Sequence, residues 1–216
     1  MAKIITAAEA ADLIRDGMTL GVSGFGAFAS PDCVMEAMSR KFKEQNTPRD
    51  LTIVSGVAPG DFVEDGCGLS KIKDAGIIKT LIASHLRMSP AIGRACSENK
   101  IAAFSMPLGV YGQLLNAIGS KRPGIITHVG LNTYADPRQD GCKMNELAKA
   151  DGREMVELIH VSGKDYLFYK AFHIDACILH ASYADTEGNI SLQNEPVHGD
   201  LLEPVSYTHL TLPTNS

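Results

Sequence analysis

Gly21-Val22-Ser23-Gly24-Phe25-Gly26-Ala27-Phe28-Ala29-Ser30-Pro31-Asp32 is the stretch that decides how this chain folds. A short apolar run, Met18 to Ser23, leads straight into glycines. Ser30-Pro31-Asp32 then opens a pattern with Val34, Ala37, Met38 and Phe42 at helical spacing. Ser30 is the expected N-cap and Pro31 the expected first helical residue, where a missing N–H goes unused. Strand, glycine turn and helix in that order form the repeating unit of parallel α/β sheets. Such a turn can aim several backbone N–H groups at one point, where an anion or a developing oxyanion can sit. The spacing Gly-x-x-Gly-x-Gly is neither the dinucleotide fingerprint nor the phosphate loop, which also needs Lys-Ser/Thr. NAD and ATP are disfavoured, and a tight turn without a ligand stays open as an alternative.

The same alternation extends in both directions. Upstream, Thr6 followed three residues later by Glu9 is a capping-box pattern, which predicts a helix over Ala7 to Arg15, stopped by Asp16-Gly17. Downstream, Leu51 to Ser55, Ile77 to Ile82, Ile101 to Ser105, Tyr166 to Tyr169 and Ala176 to His180 read as strands. Ser89-Pro90 opens a helix to about Asn99, and Val110 to Ile118 is another. Residues 131–165 read as an irregular excursion, with Asp-Gly turn signals at 140–141 and 151–152. The expected fold is α/β, an open and mostly parallel sheet with flanking helices.

Composition narrows the function classes. A hydrophobic share of 44% and a charged share of 21% exclude a disordered chain. Lys and Arg number 20 against 25 Asp and Glu, a net charge of -5 with no basic run, so neither nucleic acid nor an anionic membrane is an expected partner. The longest uncharged run, Ile101 to Ser120, is broken by Pro107, three glycines, Gln113 and Asn116, so it does not read as a membrane span. Met1 to Ile5 lacks the features of a secretory signal. The five cysteines, Cys33, Cys67, Cys96, Cys142 and Cys177, are dispersed and form no Cys-x-x-Cys pair. A disulfide framework and a metal site are therefore not expected, and a reducing cytoplasm fits.

From about Lys3 to Glu203 the chain resembles the family I CoA-transferases, in particular the single-chain acetate/propionate type. The carrying segments are Val22 to Gly26 with Pro31, Leu51 to Val54 before Gly56, and Glu98 to Phe104 with Pro107 and Gly109-Val110. Lys121 to Thr127 follow, then Gly130-Leu131 with Thr133, Asp136-Pro137-Arg138, Tyr166 to Lys170 and Asp185 to Ser191. The resemblance implies a NagB/RpiA/CoA-transferase-like domain. It further implies that Ser23, Gly24, Phe25 and Gly26 form an oxyanion and CoA-binding loop. Many relatives carry glycine where this chain has Ser23. Arg138 becomes a candidate substrate or CoA contact, the other reading being an Arg–carboxylate pair holding a turn. Acyl-CoA and a small carboxylic acid such as acetate would be substrates, CoA would not be a resident cofactor, and the complete protein would be a homo-oligomer.

Family chemistry is ping-pong. A glutamate attacks acyl-CoA to give an acyl-glutamyl anhydride and CoA thiolate, and the thiolate then forms glutamyl-CoA and releases the acid. A carboxylate nucleophile is needed because the anhydride conserves the energy of the thioester. The family places this glutamate in its C-terminal half, in a Ser-Glu-Asn-Gly or Glu-x-Gly setting. Ser97-Glu98-Asn99-Lys100 lacks the glycine and sits at a helix end, so Glu98 reads as a solvated residue. Glu187-Gly188 reads as a turn between strands. His85, His128, His173 and His180 show no ligand spacing, and His180 beside an apolar strand reads as a satisfied core residue. Arg87 and Arg94 could touch acidic groups, but nothing in the sequence requires it. No catalytic residue is therefore assigned within this chain, and the nucleophile is expected beyond it. The family pattern stops near Pro204. Residues 205–216 resemble one reading frame of a transposon mosaic-end adapter and are expected to be no part of the biological protein. The α chain of a two-chain transferase, a citrate-lyase-type relative and a non-catalytic sensor of the same fold remain the alternatives.

Overall fold

β1 (Thr19–Val22) has a parallel neighbour on each edge, β2 (Leu51–Val54) on one side and β8 (Ala176–Ile178) on the other. β3 (Ile78–Ala83) and β4 (Ala102–Ser105) continue the sheet, also in parallel, to give the order β4-β3-β2-β1-β8. These are features of a computed structural model that describes residues 2–196. The boundary expected at 204 and the tail at 205–216 lie outside the described residues.

The strands read as unbroken apolar runs because both faces of the sheet are covered. Successive side chains alternate between two cores. Leu51, Ile53, Leu81, Ala83 and Ile178 enter one core, beneath α1 (Ala7–Leu13), α2 (Asp32–Gln45), α3 (Pro90–Ser97) and a 3₁₀ turn at Gly68–Ile72. Val54, Ile82, Phe104 and Cys177 enter the other, beneath α4 (Leu108–Gly119) and α5 (Glu146–Ala150). A second, antiparallel sheet closes this second core. It consists of β5 (Gly124–Thr127), β6 (Val156–Val161) and β7 (Lys164–Lys170), with β7 central. A hairpin of β9 (Tyr183–Ala184) and β10 (Ile190–Ser191) follows β8.

The capping box forms as its spacing predicts. The Thr6 N–H donates to the Glu9 carboxylate at 2.8 Å, and the Glu9 N–H donates to Thr6 Oγ1 at 3.2 Å. The helix itself stops at Leu13, short of Arg15. Three expectations are corrected. Pro31, not Ser30, is the N-cap of α2, because the Pro31 carbonyl accepts from Val34 and Met35. Ala29 sits at φ +52°, which delays the helix entry by one residue and leaves the Ser30 hydroxyl buried with no side-chain cap bond. Tyr166 to Tyr169 is a strand, but it belongs to the antiparallel sheet. Residues 131–165 are not irregular throughout, since they hold α5 and β6. Ser162 and Gly163, both at positive φ, make the two-residue turn that pairs Val161 with Lys164.

Candidate anion-binding loop at the carboxyl ends of the parallel strands

The chain winds outward from β1 through β2 and β3 to β4, then returns on the other side as β8. In open α/β sheets, ligands bind beyond the carboxyl ends of the strands at such a reversal. Here that point lies between β1 and β8, and the segment leaving β1 is the glycine loop.

Hydroxyl groups lash this crest together. The His180 N–H donates to Ser23 Oγ at 3.1 Å, and Ser23 Oγ donates to the Ala29 carbonyl at 2.8 Å. One serine therefore ties β8 to both ends of the loop. Ser55 Oγ donates to the Val22 carbonyl at 2.9 Å, Ser105 Oγ to the Ser84 carbonyl at 2.8 Å, and Ser84 Oγ to the Gly56 carbonyl. Ser23 thus has a bonding role of its own.

Within the loop, Phe25 and Phe28 exchange backbone hydrogen bonds of 3.0 and 3.1 Å across a tight turn. Gly26 takes φ +62° in that turn, and its N–H faces Met88 Sδ at 3.2 Å. Gly24 takes φ +130°, and a Cβ there would stand 2.9 Å from Pro59 Cβ. The Gly60 N–H donates to the Gly26 carbonyl at 2.9 Å, so the segment after β2 is seated on the loop. Phe25 therefore has its N–H engaged inside the turn. The N–H groups of Gly24 and Ala27 donate to no acceptor among the described residues. The Ala29 and Ser30 N–H groups likewise have no such acceptor; of the four residues Ala27 is exposed, Gly24 and Ser30 are half-buried and Ala29 is buried.

His180 is satisfied, as expected, but it stands on this crest and not deep in the core. Its Nδ1 lies 3.0 Å from Glu195 Oε2, and Glu195 Oε1 accepts from Ser182 Oγ at 2.8 Å. The pairing of His180 with Ser23 spans 157 residues of chain, so no local spacing could have announced it.

The remaining candidates lie elsewhere. Arg138 holds buried Asp136 with two side-chain bonds, Nε to Oδ1 at 3.0 Å and a terminal nitrogen to Oδ2 at 2.7 Å, and it reaches Asp165 at 3.4 Å. Two backbone N–H groups, from Asn132 and Arg138, add to this, and the Asp136 carboxyl is held well below the usual carboxylate range, chiefly by Arg138. The turn-holding reading of Arg138 is thus the one the geometry displays. This segment bridges to β4, three strand spacings or about 14 Å from β1. Glu98 caps the end of α3 and pairs with Lys100 at 2.7 Å. Glu187 lies in the β9–β10 turn, where Asp185 accepts the Glu187 N–H at 2.9 Å. Arg94 pairs with Glu64, and His173 Nε2 lies 3.2 Å from Asp175. Among the described residues, no three His, Cys, Asp or Glu side chains gather as a metal site. No helix among them is long and apolar enough to cross a membrane.

The fold and crest define an open α/β domain that presents backbone N–H groups at the reversal of its strand order. Residues 4–204 match the Coenzyme A transferase family, and the chain belongs to it. It is 42% identical over 195 residues to a caffeate CoA-transferase of Acetobacterium woodii, covering 90% of this chain and 36% of that protein. It is 26% identical over 191 residues to an acetate CoA-transferase subunit alpha of Escherichia coli K12, covering 88% of this chain and 75% of the subunit. Among solved structures, the acyl-CoA transferase YdiF of E. coli O157:H7, in a thioester complex with CoA, superposes with a TM-score of 0.89. That match has 33% identity and covers 95% of this chain and 39% of YdiF. The chain thus spans well under half the length of the caffeate CoA-transferase and of YdiF, and 75% of the α subunit.

Proposed function

We propose that these residues are the loop-bearing part of an acyl-CoA:carboxylate CoA-transferase, moving CoA between a short-chain acyl-CoA and acetate, propionate or a similar acid. In this reading the thioester carbonyl lies at the glycine loop, within Ser23 to Gly26 and Ala27. The Gly24 and Ala27 N–H groups donate to its oxygen and strengthen as that oxygen becomes anionic during attack. Phe25 supplies its side chain and the turn, Gly26 the left-handed bend, and Ser23 the hydroxyl that fixes both loop ends. Arg138 acts by holding its turn and not by touching CoA.

The attacking glutamate comes from residues or a subunit beyond this chain. Its carboxylate displaces CoA thiolate to give an anhydride, and the thiolate then attacks the glutamyl carbonyl to give glutamyl-CoA and the free acid. The observation that carries this reading is the set of unengaged loop amides, those of Gly24 and Ala27 among them, at the β1–β8 reversal, in a chain of this family. Glu98, Glu187 and Glu195 are committed to a helix end, a turn and a His180–Ser182 clasp, which supports a glutamate from elsewhere. CoA is substrate, and the reading calls for no resident cofactor or metal. Five cysteines, none in a disulfide, fit a cytoplasmic protein. The α-subunit relative supports assembly with a partner half or subunit, within a larger oligomer.

The test is mass spectrometry after incubation with propionyl-CoA. The chain alone should carry no CoA adduct. Paired with a polypeptide bearing the glutamate, the adduct should sit on that polypeptide. A CoA adduct on any glutamate of this chain would overturn the assignment.

A further inference from the structure

We infer that Phe25, Phe28, Phe62 and Val63 form the wall of an acyl-chain subsite, so that thioesters with apolar acyl groups longer than acetyl are bound in preference to acetyl-CoA. The inference deepens the function proposed above and rests on it.

These four side chains are 43%, 56%, 58% and 55% exposed, and they contribute nothing to either core. Phe25 and Phe28 face one another across the loop turn, which puts their side chains on one side of it. Phe62 stands at φ +65°, a backbone region that crowds a bulky side chain. The loop that holds it there is rigidly built. The Phe62 N–H donates to the Met88 carbonyl at 2.9 Å, and the Asp61 carboxylate accepts from Val63 at 3.2 Å and Cys67 at 3.3 Å. A Cβ at Gly60 would stand 2.3 Å from the Met88 carbonyl oxygen, and one at Gly68 would stand 2.1 Å from the Pro59 oxygen, so neither position yields. A strained backbone maintained by its surroundings, for a ring that does not serve the core, points to a role at a site.

Location identifies the occupant. Met88 touches both segments, through its sulfur to Gly26 and its carbonyl to Phe62, and Gly60 bonds to Gly26 directly. The segment that carries Phe62 and Val63 is therefore seated against the loop that carries the Gly24 and Ala27 amides. A thioester whose oxygen accepts from those amides carries its acyl chain along this junction. Asp61 accepts from two N–H groups and Glu64 pairs with Arg94, while Arg87, next to Met88, is exposed.

The chain contains no tryptophan, so Phe62→Trp installs a single fluorescent reporter. Its emission is read during titration with CoA, acetyl-CoA and hexanoyl-CoA, while calorimetry reports binding independently. Phe28→Trp reports from the opposite wall should the first variant fail to fold. The expected result is a saturable blue shift with hexanoyl-CoA and little shift with the other two. Phe62→Ala should weaken hexanoyl-CoA about tenfold, from roughly 55 Å² of lost apolar burial, and leave acetyl-CoA unchanged. Equal shifts with CoA alone overturn the inference, as does equal weakening of both thioesters by Phe62→Ala. Calorimetric binding of hexanoyl-CoA without any tryptophan response overturns the inference but spares the proposed function. A shift that depends on protein concentration without ligand assigns the wall to a protein contact and overturns it too. No binding of any acyl-CoA removes both.

Discussion

Replacing Gly24 by alanine should damage this domain far more than the same change at Gly26, two residues away. At Gly24 the backbone has φ +130°, and a Cβ would stand 2.9 Å from Pro59 Cβ and 3.4 Å from the Phe28 carbonyl oxygen. Backbone strain for an L-residue there is about 1–2 kcal/mol, and forcing a methyl into an occupied space adds about 1–3 kcal/mol. The sum is about 3 kcal/mol, a fall in melting temperature of about 6–12 °C for a chain of this size. At Gly26, φ is +62° and a Cβ would meet nothing within 4 Å. That leaves only the left-handed penalty, about 1 kcal/mol or 2–4 °C. Thermal unfolding followed by circular dichroism measures both. Equal losses, or a greater loss at Gly26, would show that the seat of Pro59 against Gly24 does not constrain the loop, and the case for preorganised amides would go with it.

Arg138→Ala leaves the buried Asp136 carboxylate with backbone donors only and should destabilise the fold. A carboxyl whose folded pKa is depressed contributes stability above its unfolded value, lost as pH falls toward the folded one. The difference between parent and variant should therefore be constant above about pH 5 and shrink below about pH 4, read from urea midpoints. Thr6→Ala should cost about 1 kcal/mol through loss of the capping box, and Thr6→Ser should recover most of it in the same thermal scan. Burial pushes the Cys96 and Cys142 thiols up to about 12, so a thiol reagent at pH 8 should label exposed Cys33 and spare those two until the chain unfolds.

Much of the fold was legible because local signals carried it. Thr6 and Glu9 announced α1, Ser89-Pro90 announced α3, and the apolar runs at 51–55 and 77–82 could only be buried strands. The antiparallel sheet was harder to read. β6 buries only Val156 well, so it shows no clean alternation, and although Tyr166 to Tyr169 reads as a strand, its antiparallel pairing with β5 and β6 is not encoded locally. The glycine loop stood out at once, but which of its amides remain unengaged depends on the Phe25–Phe28 turn and on Met88, contacts that no spacing encodes. Ser30 looks like a cap in any sequence, and only the positive φ of Ala29 takes that role away. The crest needs Ser23 and His180 together, and the sheet order alone brings them there.

Amide chemical shifts of the labelled chain during titration with an acyl-CoA address the loop itself. The largest shifts should fall on Gly24 and Ala27, with Phe25 moving less because its N–H stays within the turn. Shifts confined to other surfaces, such as the Lys121–Arg122–Phe172 cleft, with the loop unmoved, would contradict the assignment of the thioester to the glycine loop.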